Sequence, residues 1–271
     1  MSTQEQLDKQ NATFWNELCG TSFAQALGIT GTEPDALERY DSAFLDYYPY
    51  LAGYVTRFGL DERRTLEIGL GYGTLGGLLL ERGADYHGLD ISPGPVEMMR
   101  HRLRLRAVPD PESRVVVGSA LNIPHPPDSF DFLYTIGCLH HTGHLARAID
   151  EVHRVLVSGG TAIVMVYNRR SFRQIVRVDL PRLTRRARLR SSEAVRSLYD
   201  TNLAGDAAPH TEYVTKREVD VAFGRFSKVT VDRHNFDEIV RRGRIVVSRD
   251  RILGTTIERL LGLDLYVVAK K

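Results

Sequence analysis

The greatest chemical potential in the chain lies in Glu67-Ile68-Gly69-Leu70-Gly71-Tyr72-Gly73, one carboxylate in an apolar run followed by a glycine-rich turn. Glycines at this spacing permit tight dihedrals and let a ligand approach the main chain. A helix starting just beyond would aim its amides and positive end at the same spot, which suits an anion. Glu67 adds the opposite charge. A buried carboxylate is costly unless partnered, so Glu67 is expected to anchor loop amides or a cationic ligand group. The plain alternative puts it at the exposed end of a strand. Read literally, Gly71-x-Gly73-x-x-Gly76 also fits a dinucleotide loop, with Asp90 about 20 residues beyond the turn as a ribose-binding acid. A nucleotide-type cofactor is implied, and at this point NAD remains a competitor.

Other reactive side chains follow the same strand-and-turn pattern. His140 and His141 follow a strand, Tyr167 ends another, and His210 lies near the late part of the chain. Histidine titrates near neutrality, so these are candidates for a general base, with a pocket wall as the alternative role. Cys138 reads as a packed thiol rather than a nucleophile. Trp15, Tyr40, Tyr48 and Tyr50 are candidates for a lid that excludes water, although aromatics at helical spacing also build a core. Arginines crowd residues 169–190, at Arg169, Arg170, Arg173, Arg177, Arg182, Arg185, Arg186, Arg188 and Arg190. They could attract a phosphate, an acidic lipid surface or nucleic acid, or simply form a solvated face paired with the acidic N-terminal segment. Phe172 is the lone aromatic among them, which argues against single-strand stacking.

The elements that must position these groups alternate strand and helix. Strands are expected around Thr65–Ile68, Tyr86–Asp90, Val115–Val117, Phe132–Ile136 and Thr161–Tyr167. Ser92 and Pro93 open one helix as N-cap and first residue. Another helix spans about 146–156 and ends at Gly159-Gly160. Such alternation predicts a parallel sheet with right-handed crossovers, whose ligands bind at the carboxyl ends of the strands. Two late strands are expected around 226–231 and 263–268, with helical residues at about 236–261 between them. Four segments result: a helical N-terminal cap (1–60), a Rossmann-like core (61–168), an Arg-rich helical insertion or lid (169–212) and the C-terminal part of the core (213–271).

The chain has 271 residues, 42% hydrophobic and 26% charged, with a net charge of +2, the profile of an ordinary soluble globular protein. Its N-terminus lacks a signal pattern, and no apolar run is long enough to span a membrane. With two cysteines, Cys19 and Cys138, there is neither a disulfide framework nor a zinc cluster. Cytoplasmic residence is the expectation, and homo-oligomerisation stays open.

Taken in order, several motifs resemble the class I S-adenosylmethionine (SAM)-dependent methyltransferases, of the small-molecule type that includes ubiquinone-pathway enzymes. They are Leu66-Glu67-Ile68-Gly69-Leu70-Gly71-Tyr72-Gly73, Gly88-Leu89-Asp90-Ile91-Ser92, Gly118-Ser119-Ala120-Leu121-Asn122-Ile123-Pro124, Ser129-Phe130-Asp131, Leu139-His140-His141 and Glu151 through Gly160. The resemblance covers residues 62–168 and implies a mostly parallel seven-stranded sheet with a terminal antiparallel hairpin. It implies that Gly69, Gly71 and Gly73 carry the methionine part of SAM, with Glu67 fixing the loop and Asp90 binding both ribose hydroxyls. Ile91, Ser119, Ala120 and Leu121 would surround adenine, and Ile136 would face the ammonium group. Many relatives have Asp where this chain has Ser119, which leaves the adenine amino contact to the backbone. The resemblance disfavours NAD and implies direct displacement at a sulfonium methyl, with S-adenosylhomocysteine as product and no metal. The expected acceptor is a small molecule, anionic if the arginines face the pocket. RNA or tRNA is the alternative acceptor.

Overall fold

Thr65, Leu66, Glu67 and Ile68 are all buried, although their side chains alternate between two faces, because the strand they form lies inside a sheet covered on both sides. The computed structural model describes residues 3–17, 21–180, 191–241 and 244–271. Its strands are β1 (Arg64–Ile68), β2 (Asp85–Asp90), β3 (Val115–Val117), β4 (Phe130–Ile136), β5 (Leu156–Tyr167), β6 (Lys228–His234), β7 (Ile239–Arg241), β8 (Arg244–Val247) and β9 (Asp264–Lys270). Seven of them form one sheet in the order β3-β2-β1-β4-β5-β9-β6. Neighbours from β3 to β5 pair in parallel, and β9 runs antiparallel to both β5 and β6.

The helices α5 (Thr74–Glu81), α6 (Pro93–Leu105), α7 (Pro111–Arg114) and α8 (Leu145–Val155) connect the parallel strands. Two apolar clusters cover the sheet. One contains Leu66, Leu133, Ile149 and Val164, the other Leu79, Met99, Tyr134 and Ile163. The N-terminal cap comprises α1 (Thr3–Phe14), α2 (Thr21–Ala26), α3 (Pro34–Tyr47) and α4 (Leu51–Thr56). Among the described residues, no helix is long and apolar enough to cross a membrane.

Local expectations failed in two places. The stretch 236–261 contains a separate antiparallel hairpin, β7 with β8, and its α-helix is confined to Thr256–Leu261. Ile239, Val240, Ile245, Val246 and Val247 are β-branched, and their preference for an extended chain prevails there. Gly159 and Gly160 do not end a helix, because α8 stops at Val155. They lie where the β4–β5 register jumps from Phe130↔Leu156 to Phe132↔Thr161. Gly159 has φ 79°, and a Cβ on Gly160 would lie 2.9 Å from the Val157 carbonyl. Ser92 stands at the N-cap of α6, yet its hydroxyl makes no capping bond. Of the segment 169–212, the described part holds short turns at Phe172–Gln174, Ile175–Asp179 and Ser192–Arg196. Arg182, Arg185, Arg186, Arg188 and Arg190 lie outside the described residues.

Leu133 is fully buried in the middle of β4. Leu133→Ala is expected to lower stability by about 2–5 kcal/mol through lost burial and a residual cavity, read by urea unfolding.

Candidate active site

A cavity opens at the carboxyl ends of β1, β2 and β4, where the strand order reverses between β1 and β4. The core contributes Glu67 through Leu75, Asp90, Ile91, Gly118–Ala120 and Ile136–Cys138 to its wall, and the cap closes it with Asp8, Asn11, Trp15 and Tyr40. The turn after β1 is possible because Gly69, Gly71 and Gly73 adopt φ of 83°, 51° and 82°, a region that costs other residues dearly. At Gly69 space adds a second constraint, since a Cβ there would come within 2.6 Å of the Cys138 Cβ.

Glu67 is buried, as its apolar surroundings suggested, but its partner is a side chain and not the loop amides. Its Oε2 accepts a hydrogen bond from the Tyr86 hydroxyl at 2.6 Å. Two glycines make room for this pair. A Cβ on Gly88, opposite Glu67 in the β1–β2 register, would lie 3.1 Å from the Tyr86 hydroxyl. A Cβ on Gly76 would lie 2.8 Å from Oε2 itself. The third glycine of the literal dinucleotide spacing thus serves a carboxylate. Burial pushes the Glu67 carboxyl up to about 8, against the pull of the Tyr86 hydrogen bond.

Asp90, at the end of β2, receives the Leu70 amide on Oδ2 and the Ser92 amide on Oδ1, each at 2.8 Å. The carboxylate therefore ties the glycine turn to the start of α6, and each oxygen keeps a further lone pair for a ligand. Burial raises its pKa to about 6, opposed by those amides.

The residues that join cap to core had no local signal. Arg102 of α6 is buried, and its guanidinium forks onto Asp41 of α3 at 2.7 and 2.9 Å. Its Nε donates to the Tyr72 carbonyl at 2.7 Å, and the Thr74 hydroxyl donates to Asp41 at 2.6 Å. Tyr40 stacks on Tyr72 with centroids 4.1 Å apart. The cap is thus fastened to the glycine turn itself.

The expected site residues divide by position. Glu67, Gly69, Gly71, Gly73, Asp90, Ile91, Ser119, Ala120, Ile136, His141, Trp15 and Tyr40 line the cavity. Leu121 instead packs into the core beside Leu89 and Ile123. Tyr48 and Tyr50 are not in the cavity wall. Tyr50 stacks on His234 at 4.4 Å and so joins the cap to β6, whereas Tyr48 packs against Phe44 within the cap at 4.8 Å. His140 is fully buried beneath Tyr167, with ring centroids 4.3 Å apart and no hydrogen bond to either ring nitrogen. Tyr167 and His210 also lie outside the wall, next to His141. Asn11 reaches across from α1 to donate to the His141 carbonyl at 2.9 Å.

Two of the described arginines of the basic segment pair with acids. Arg169 pairs with Asp179 at 2.9 Å and Arg173 forks onto Asp237, so neither meets the N-terminal carboxylates. Among the described residues no Lys or Arg lines the cavity, no group of three or more His, Cys, Asp or Glu could hold a metal, and Cys138 forms no disulfide.

Two consequences follow. Asp41→Asn leaves Arg102 buried without its counterion and is expected to cost about 3–5 kcal/mol, read by urea unfolding. Glu67 ionises at about 8 when folded against an ordinary 4.5, so the folded state holds the extra proton between those values. Its contribution is therefore most favourable below about 4.5 and is lost as pH rises to 8. Glu67→Gln should flatten the fall in melting temperature across that window. An unchanged profile would show the carboxyl to be ionised in the empty site.

Comparison with known proteins agrees with this geometry. The family profile described as a methyltransferase domain matches residues 66–164. A phthiotriol/phenolphthiotriol dimycocerosates methyltransferase from Mycobacterium leprae is 35% identical over 108 residues, covering 39% of this chain and 38% of the relative. Ajmaline N-methyltransferase from Rauvolfia serpentina is 34% identical over 109 residues, covering 38% and 35%. The match thus spans little more than a third of either curated relative. A SAM-dependent methyltransferase structure from Thermotoga maritima covers 86% of this chain and 95% of its own at a TM-score of 0.53 and 20% identity, a likeness of fold. Residues 66–164 are thus similar to a methyltransferase domain, and the sheet order shares the fold of the Thermotoga maritima structure.

Proposed function

We propose that the protein is a SAM-dependent methyltransferase that transfers a methyl group to a small-molecule acceptor. The observation that carries this reading is the pairing of two buried carboxylates, Glu67 and Asp90, on either side of the glycine turn in one cavity. SAM is a cation bearing an ammonium, a sulfonium and two ribose hydroxyls, and it fits such a wall. Asp90 would take the ribose hydroxyls on its remaining lone pairs, and Glu67 would balance the positive charge. Ile91, Ser119 and Ala120 would face adenine. When bound, SAM supplies an electrophilic methyl whose sulfur leaves neutral. The protein's own part is to hold the acceptor in line beneath Trp15 and Tyr40 and to exclude water, the source of up to ~7–11 kcal/mol in oriented reactions.

The acceptor class draws support from two sides. The relatives are named for dimycocerosates and for ajmaline, neither a nucleic acid. The described arginines Arg169 and Arg173 are engaged with carboxylates, so nothing in the cavity wall favours an acceptor bearing phosphate, and RNA recognition gains no support from them.

Calorimetry separates the cofactors: SAM should bind and NADH should not, and absence of SAM binding overturns the reading. Asp90→Asn should weaken SAM binding about tenfold or more, the worth of charge-assisted hydrogen bonds at about 1.5–3 kcal/mol. Because Glu67 is raised to about 8 in the empty site, SAM binding at pH 7 should release a proton. The binding enthalpy would then vary with the ionisation enthalpy of the buffer, and Glu67→Gln should reduce that dependence. A screen of phenol, amine, carboxylic-acid, thioether and tRNA acceptors for S-adenosylhomocysteine formation tests the acceptor class.

A further inference from the structure

The His141 ring joins the cavity wall to a half-buried polar cluster formed by Tyr167, Tyr199, Asp200, His210 and Tyr213. Its Nδ1 lies 2.7 Å from the His210 carbonyl oxygen. A carbonyl can only accept, so Nδ1 carries the hydrogen and Nε2 presents a lone pair whenever the ring is neutral. Oδ2 of Asp200 lies 3.7 Å from Nε2, beyond an N–H···O hydrogen bond. Both atoms are buried and neither has a hydrogen-bond partner. The carboxylate cannot turn away without losing the bond its Oδ1 accepts from the Tyr167 hydroxyl at 3.0 Å. Two acceptors are thus held side by side, and one proton added at Nε2 would serve both.

The other titratable and charged groups around the pair act with and against it. Burial disfavours a charge on His141 most of all and His210 adds to it, while the His140 ring packs beside it with centroids 4.2 Å apart. Asp200 and the His210 carbonyl favour that charge. On the carboxylate, burial opposes ionisation, whereas His141, Tyr167 and Arg173 support it. Tyr213 and Tyr199 complete the surroundings as phenols kept neutral by burial.

We propose that His141 and Asp200 form a proton-accepting pair, with His141 the catalytic base and Asp200 its positioning residue, and that the acceptor atom arrives bearing a proton. This rests on the methyl-transfer reading above. The acceptor class is then a hydroxyl, an ammonium or an acidic C–H, and not a thioether. In the step, the acceptor's electron pair forms the bond to the methyl carbon and the carbon–sulfur pair leaves with sulfur. The acceptor's proton passes to Nε2, where the new N–H closes onto Oδ2 and the Asp200 charge balances the imidazolium. Water takes that proton after the product leaves. Nε2 is covered in the structure, so the side chains around it must shift to admit the acceptor; the Trp15 ring, with its centroid 4.8 Å from that of His141, is its neighbour on the cap side.

The pair can be tested without an acceptor. In the full-length protein with 15N-labelled histidine, NMR should show His141 as the Nδ1–H tautomer. Asp200→Asn should lower its protonation midpoint by at least one pH unit while SAM affinity by calorimetry stays within twofold. An Nε2–H tautomer or an unmoved midpoint overturns the pair. With any protonated acceptor that turns over in the screen, His141→Gln should lower kcat about a hundredfold or more and Asp200→Asn tenfold, with KM for SAM unchanged. Both losses should shrink as pH approaches the acceptor's own pKa. A loss equal at every pH would indicate a purely structural role, and preferential turnover of a thioether would overturn the acceptor class. Failure of the wild-type protein to bind SAM would strike the methyl-transfer reading instead.

Discussion

A guanidinium buried as completely as that of Arg102 is tolerable only with its charge matched and its hydrogens placed. Asp41 supplies the match, and the Tyr72 carbonyl takes the Nε hydrogen. Because Asp41 belongs to the cap, Tyr72 to the glycine turn and Arg102 to the helix behind it, one desolvated fork sets three elements against each other. Most else in the site depends on it. The stack of Tyr40 on Tyr72, the Thr74 hydroxyl at the start of α5 and the roof over the cavity all take their positions from that contact.

Around this joint the site is organised by carboxylates kept in low dielectric. Glu67 and Asp90 are both raised in pKa by burial, yet each is held by a different kind of partner. A phenol holds Glu67 and backbone amides hold Asp90. Amides are fixed donors and favour the ionised form, so Asp90 is raised less. The empty cavity therefore carries less negative charge than its composition suggests, and a cationic ligand would bring that charge out. Gly76 and Gly88 are small because Glu67 and Tyr86 need the volume, which links helix packing to the electrostatics of the site.

Much of the core was legible in the chain because its signals are short-range. Leu66 and Ile68 before a glycine turn, Gly88-Leu89-Asp90 and Phe132–Ile136 each carry strand propensity and turn chemistry within a few residues, and the sheet places them as expected. Errors arose where local patterns were ambiguous. Gly159-Gly160 read as a helix end, because glycine marks both a C-cap and a strand irregularity. The β7–β8 hairpin was missed because its arginines interrupt the alternation of β-branched residues. Tyr48 and Tyr50 read as lid residues from composition alone, but in the link between α3 and α4 Tyr50 packs on His234 and Tyr266, and Tyr48 on Phe44 and Tyr47.

The sequence by itself determined the cofactor turn, the alternation of strand and helix and the identity of the two carboxylates, since these follow from residue type and near-neighbour spacing. Only the tertiary structure decided what those groups face. Asp41 and Arg102 lie 61 residues apart, Tyr50 and Asp264 lie 214 apart, and His141 meets a carboxylate from the segment beyond β5. No local pattern encodes such pairings. They arise when burial brings charges from distant segments into one low-dielectric space, where each must find a partner or change its protonation.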